Sequence, residues 1–165
     1  MKRGSSAEIF SRPDEMWKME KFIEEICDEY NVNNSYFGNI LIAVSEAVQN
    51  AMVHGNQSDS EKTIKIRFNT VPDGLVFSVQ DEGNGFNFRH IPDILDAAEG
   101  EYPGRGLFLI RRLGDSVRFN KKGNRIDILF KVSGINRQIS KIRIDQLEKY
   151  FSKDRQVVQS KYRQT

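Results

Sequence analysis

The sequence predicts a two-layer α/β sandwich, an α+β arrangement with helices on one face of a mixed sheet. Three observations carry that prediction. Segments 63–70 (TIKIRFNT) and 74–80 (GLVFSVQ) alternate apolar and polar residues, as half-buried strands do. Segments 12–31 and 35–54 instead repeat apolar residues at helical spacing. The elements also fall in the order β-α-α-β-β-loop-α-β-β, which reads as an α/β sandwich with helices on one face of a mixed sheet. At 165 residues, 38% hydrophobic and 29% charged, the chain suits one domain with a real core and length for a short appendage.

Taken in order, AEIFSR (7–12) reads as a short first strand. RPDEMWKMEKFIEEICDEYN follows as an amphipathic helix with Trp17, Phe22, Ile23, Ile26 and Tyr30 as its expected buried face. NVNNSYFGN supplies a break with capping residues, and the next helix is expected from about residue 35 to His54. GNQSDSEK is loop. The two alternating strands are joined by a Pro-Asp-Gly turn at 72–74. Residues 81–106 are punctuated by glycine and hold at most one short helix. GLFLIRRLG is a helix with its stop, and DSVRFN and RIDILFKV form a second hairpin through KKGN. The folded domain is expected to span residues 1–133. In 134–165 only RIDQLEKYF can make about two helical turns, with Ile144, Leu147 and Phe151 on one side.

The net charge of +2 hides an asymmetry. Residues 134–165 hold eight Lys or Arg against three Asp or Glu, a net of +5, and the first 133 residues hold 17 against 20, a net of −3. A basic extension on a mildly acidic domain suits an acidic partner, or no partner at all. No zinc spacing, helix-turn-helix or aromatic RNA-binding strand is recognisable, so direct nucleic-acid binding is not expected. A single cysteine, Cys27, rules out an internal disulfide and reads as a small buried hydrophobe. No apolar run approaches the ~20 residues of a membrane span, and no leader pattern opens the chain. The cytoplasm is the expected location.

Three places could carry chemistry. In SEAVQNAMVHG (45–55), Glu46, Asn50 and His54 recur every fourth residue, within an arc of about 80° at ~100° per residue. Ala43 and Ala47 share that side, whereas Leu41, Val44, Val48, Ala51 and Met52 cluster opposite. A polar stripe on a core helix costs free energy unless it is paired, faces a ligand or reaches solvent. The two alanines would leave room for a ligand. Asn50 offers a hard oxygen suited to Mg²⁺, and Glu46 lies one turn away, where a general base could reach a hydroxyl. The second place is DEGNG (81–85), at a strand end, which reads as a turn or as a close backbone approach to a ligand. The third is GRGLFLI (104–110), where glycines enter a helix whose free N–H groups attract phosphate, or simply form a hinge. The phosphate-binding loop of common nucleotide-binding folds and the motifs of ordinary protein kinases are both missing.

In this order and at these separations, SEAVQNAMVHG, DEGNG and GRGLF resemble the N box and the two glycine boxes of the GHKL ATP-binding superfamily, the Bergerat fold of gyrase, MutL and histidine kinases. The longer phrasing AVSEAVQNAMVHG, DEGNGF and GRGLFLIRRLGDSVRF is similar to the anti-sigma factor serine kinases, the RsbW-like group. The resemblance covers roughly residues 7–133. It implies ATP and Mg²⁺ as cofactors. Asp81 would accept a hydrogen bond from the adenine amino group, with Gly83 and Gly85 lining base and ribose. Asn50 would ligate Mg²⁺, Glu46 would be the catalytic base, and Gly104, Arg105, Gly106 and Leu107 would close a short lid over the phosphates. His54 would be structural. The family's last hairpin usually carries Gly-Thr beside the adenine, where this chain has Gly123 and Asn124, an amide able to donate and accept. The basic extension has no counterpart in the pattern.

The resemblance implies an ATP-dependent serine kinase that phosphorylates a small anti-anti-sigma protein of the STAS fold and sequesters a sigma factor, expected as a homodimer. Two other functions compete with it. One is an ATP-binding regulatory module with little or no turnover, which would have no need of Glu46. The other is a detached histidine-kinase catalytic domain, for which the roughly 34 residues before the N-box helix offer no phosphoacceptor hairpin. A gyrase-like or MutL-like ATPase would need a transducer domain that this length excludes.

Overall fold

In a computed structural model, which describes residues 4–87 and 105–132, alternation resolves into one five-stranded sheet. The strands are β1 (Ser5–Phe10), β2 (Thr63–Val71), β3 (Gly74–Gln80), β4 (Ser116–Phe119) and β5 (Arg125–Phe130), in the order β1-β2-β3-β5-β4. Ile64, Ile66 and Phe68 of β2, Leu75, Phe77 and Val79 of β3, and Ile126, Ile128 and Phe130 of β5 are all buried. The residues between them on β2 and β5, among them Lys65, Arg67, Arg125 and Asp127, stay half-buried on the other face. There Arg67 Nη1 donates to Gln80 Oε1 at 2.8 Å. Register follows the same pattern. Phe68 lies opposite Phe77, with ring centroids 5.3 Å apart, and Phe77 meets Phe130 edge-on at 6.2 Å. Each such aromatic pair adds about 0.5–1.5 kcal/mol beyond burial.

Every neighbouring pair of described strands is antiparallel, so the expectation of a mixed sheet needs correction. β3 and β4 do run the same way, but β5 returns between them and pairs with both. The crossover therefore spans one strand instead of joining neighbours.

Helices α1 (Met16–Glu29), α2 (Asn34–Asn50) and α3 (Arg105–Leu113) supply the second layer. α1 packs on β1 and α2, while α2 packs on β3, β5 and α3. Asn33 caps α2, its Oδ1 accepting from Tyr36 N at 3.1 Å, a device worth ~1 kcal/mol. A single 3₁₀ turn, Pro13–Glu15, leads into α1. There Lys18 bonds the Glu15 carboxylate at 2.6 Å and holds its pKa below the usual range. The buried stripe of α1 is Met19, Phe22, Ile23, Ile26 and Cys27. Trp17, expected in that stripe, is 57% exposed. Its position falls off the i, i+3, i+4 line through Met19, and Lys18 lies over its ring instead, 5.8 Å from the centroid.

The second helix does not run unbroken to His54. It ends at Asn50, and Ala51–Gly55 form a wider π-helical turn, closed by Asn56 N donating to Ala51 O at 2.7 Å. Such turns insert a residue and re-aim the chain beyond them. No helix among the described residues is long and apolar enough to cross a membrane. The expectations for 88–104, for Gly104 and for the basic segment 134–165 lie outside the described residues.

Candidate functional site

α2 and the π-helical turn at its end form the floor of the candidate site, and the glycines of the two later motifs lie against it. The start of α3 comes first. A Cβ on Gly106 would stand 2.8 Å from Glu46 Oε2 and 3.3 Å from both polar atoms of the Asn50 amide. Glu46, Asn50 and Gly106 therefore meet, and a side chain at Gly106 would have to displace the Glu46 carboxylate. All three are half-buried, neither sealed in the core nor fully exposed. Ala43 and Ala47, on the same side of α2, are 0% and 3% exposed, so their small size serves packing in the layer where α2 meets α3. Leu107 is 8% exposed and its side chain belongs to the core, as does that of Ile110. Arg105 opens α3.

The other end is built around Asp81. A Cβ on Gly55 would lie 2.2 Å from Asp81 Cγ, so the carboxylate occupies the space a side chain would take. Gly83 is equally constrained, its Cβ position being 2.1 Å from Gly55 O. Gly83 N donates to Asp81 Oδ1 at 2.7 Å. Burial raises the pKa of Asp81, and the Gly83 N–H together with Lys122 and Lys62 works against that rise. A desolvated carboxylate with an open lone pair can accept a strong hydrogen bond from a ligand amino group.

Beneath this loop lies the β4–β5 hairpin. Gly85 and Gly123 both adopt positive φ, +81° and +78°. Each leaves room for the other's segment, with Lys122 O 1.7 Å from the Cβ position of Gly85 and Phe86 O 2.2 Å from that of Gly123. Asn120 Oδ1 accepts from the N–H groups of Gly123, Asn124 and Arg125 at 2.8, 3.1 and 3.1 Å, which closes the turn. Asn124 is 7% exposed, and both its polar ends are engaged within the protein. Its Nδ2 donates to Asp81 O at 3.2 Å, and its Oδ1 accepts from Asn120 Nδ2 at 2.8 Å. Asn124 thus reaches the site through the Asp81 backbone.

The structure brings Glu46, Asn50 and Gly106 together at one end, and Asp81, Gly83, Gly85 and Asn124 at the other. His54 is exposed between them in sequence. Sequence reasoning missed Gly55 and Asn120 as builders of the candidate site. Asn120 had a signal, an Asn three residues before a turn Gly. Gly55 had only its position at the end of the polar stripe. As for a metal, no group of three or more His, Cys, Asp or Glu side chains that could hold one occurs among the described residues. Asn50 with Glu46 beside it fits Mg²⁺ in the manner that relies on phosphate and water oxygens for the remaining positions.

The profile of the histidine kinase-like ATPase domain matches residues 9–130, most of the chain. The serine-protein kinase RsbW of Bacillus subtilis (strain 168) is 38% identical over 89 residues, covering 47% of this chain and 52% of that protein. Proteins of the same name from Oceanobacillus iheyensis and Bacillus licheniformis are 32% and 34% identical over 88 and 90 residues. Those matches cover 49% and 47% of this chain, and 56% and 52% of the relatives. The chain spans about half the length of the curated relatives it matches.

Proposed function

Since the chain belongs to the histidine kinase-like ATPase domain family, we propose that it binds ATP with Mg²⁺ and transfers the terminal phosphate to a serine of a partner protein. The observation that carries this reading is the meeting of Gly106 with Glu46 and Asn50. It joins a carboxylate, a hard amide oxygen and the N-terminal end of a helix at one point, which suits a terminal phosphate, its metal and an attacking hydroxyl. Asp81 lies beside Gly55, at the far end of the π-helical turn that follows Asn50. A nucleotide lying along the turn would put its base at Asp81 and its phosphates at Asn50.

In this reading Asn50 holds Mg²⁺, which neutralises charge on the phosphates when bound. Asp81 accepts from the exocyclic amine of the base, and Asn124 keeps the Asp81 peptide in place. Arg105 and Gly106, at the start of α3, would offer backbone N–H groups to the phosphates, and Gly104 belongs to the same proposed lid. Glu46 orients the serine hydroxyl and takes its proton, as a positioned base does. The names of the relatives support serine as the acceptor. The partner in this reading is an anti-anti-sigma protein of the STAS fold, and a sigma factor is the second protein held. A homodimer and a cytoplasmic location belong to the same proposal, with residues 134–165 as an extension outside the nucleotide-binding domain.

The test is to purify the partner by affinity to the full chain, add ATP labelled in its terminal phosphate and follow the label. Transfer to a serine of the partner is the expected result. Binding of ATP with no transfer to any captured protein would leave an ATP-responsive binding module and refute the kinase.

A further inference from the structure

The nucleotide reading leaves unused the most completely buried polar side chain of the described residues. Asn56 is 0% exposed, and it follows Gly55 directly at the exit of the π-helical turn. Its Nδ2 donates to Thr63 O at 3.0 Å, and its Oδ1 accepts from Glu82 N at 2.9 Å. A carbonyl at one end and an N–H at the other fix which way the amide faces. Glu82 closes the circle, its Oε2 accepting from both Thr63 N and Thr63 Oγ1. The residue that follows the turn, the first residue of β2 and the distant glycine loop after β3 are thereby tied into one ring.

The ring lies next to the candidate site in a specific way. Gly55 abuts the carboxylate of Asp81, and Asn56 holds the N–H of Glu82. The last residue of the turn and the residue after it thus meet two consecutive residues of the loop. The Asn56–Glu82 bond therefore restrains the peptide next to Asp81, and Gly55 lies directly against the Asp81 carboxylate. A helix continuing in α form past Asn50 would drop the inserted residue and carry both contacts out of register.

We infer that the Asn56–Thr63–Glu82 ring positions the carboxylate of Asp81 for its ligand, and so couples the base end of the site to the helix that carries Glu46 and Asn50. Asn56 is a positioning residue in this scheme, since it acts through Asp81. The inference rests on the reading in which Asp81 meets the base of ATP, and its test separates the two.

The experiment measures the affinity of the full chain for ATP and for inorganic tripolyphosphate, both with Mg²⁺. The proteins compared are the wild type, Asn56→Ala, Glu82→Ala, Asp81→Asn and the two pairings with Asp81→Asn. Tripolyphosphate probes the Glu46–Asn50 end alone. Glu82 is exposed, so Glu82→Ala opens the ring and keeps the test alive should Asn56→Ala fail to fold. Asn56→Ala should weaken ATP by about tenfold or more and Glu82→Ala by about threefold, with tripolyphosphate affinity held within about twofold. Neither should weaken ATP further once Asp81 is Asn, because positioning a residue that no longer binds has no effect. Equal losses for both ligands would show a merely structural ring and overturn the inference. So would unchanged ATP affinity in both ring variants while Asp81→Asn binds ATP poorly. Unchanged ATP affinity in Asp81→Asn itself would remove the base reading, and the inference with it.

Discussion

Replacing Gly55 by alanine adds one methyl group at the point where the turn after α2 meets Asp81. The new Cβ would lie 2.2 Å from Asp81 Cγ and 2.3 and 2.7 Å from its two oxygens. Carbon atoms settle at ~3.5 Å or beyond, so either the carboxylate or the turn must move by about 1.3 Å. The carboxylate is not free to swing, because Oδ1 accepts the Gly83 N–H at 2.7 Å, and Gly83 itself is packed on Gly55 O. Overpacking of this kind costs about 1–3 kcal/mol. The better helical preference of alanine returns up to about 1 kcal/mol, so the variant should fold with a modest loss of stability. Binding should suffer more. A misplaced acceptor in a desolvated site is worth about 1–3 kcal/mol, or roughly five- to 150-fold in ATP affinity. Calorimetric titration with ATP and Mg²⁺, alongside a circular dichroism melt of the same sample, separates the two effects. A folded Gly55→Ala protein that binds ATP as the wild type does would refute the reasoning, since Asp81 would then not need its present place.

Asp81→Asn should weaken ATP severely, by ~1–3 kcal/mol, because the amide turns a donor toward the base amine. Burial raises the folded-state pKa of Asp81, so its ionised form costs stability as pH climbs out of the ordinary aspartate range. The ligand-free Asn variant should therefore melt no lower than wild type at neutral pH, and a lower melting temperature would contradict that sign. Cys27 is the single cysteine and its thiol is pushed up to about 12 by burial, so the native protein should ignore a thiol reagent at pH 8 and react on unfolding. Rapid labelling of the native state would show that α1 opens readily. Removing residues 134–165 should spare ATP affinity while reducing partner binding or dimerisation, most visibly at low salt, given the net charge of +5. A truncated chain with both associations intact would leave the segment without that role.

The fold was legible where one period dominated. β2, β3, β5 and the stripe of α1 were readable because their buried residues are large and regularly spaced. Antiparallel neighbours throughout were not, because order within a sheet depends on where β5 inserts, and no local pattern encodes that. Trp17 stays exposed because it lies off the phase of the buried stripe of α1. In the site, Glu46 and Asn50 were readable as polar residues on an apolar helix. Gly55 and Asn56 were not, because their roles depend on contacts with Asp81 and Glu82, some 26 residues away along the chain. The widened turn at Ala51–Gly55 was hidden for the same reason, since a π turn has no composition of its own.

The proposed role of Glu46 is to act on the hydroxyl of a phosphate acceptor beside Asn50 and Gly106. Its most direct test is phosphate transfer from saturating ATP to the purified partner, measured in a single turnover for wild type and Glu46→Gln. The expected result is ATP affinity within a few fold and a transfer rate lower by ~10²-fold or more, as loss of a positioned base requires. Equal transfer rates in the two proteins would contradict it.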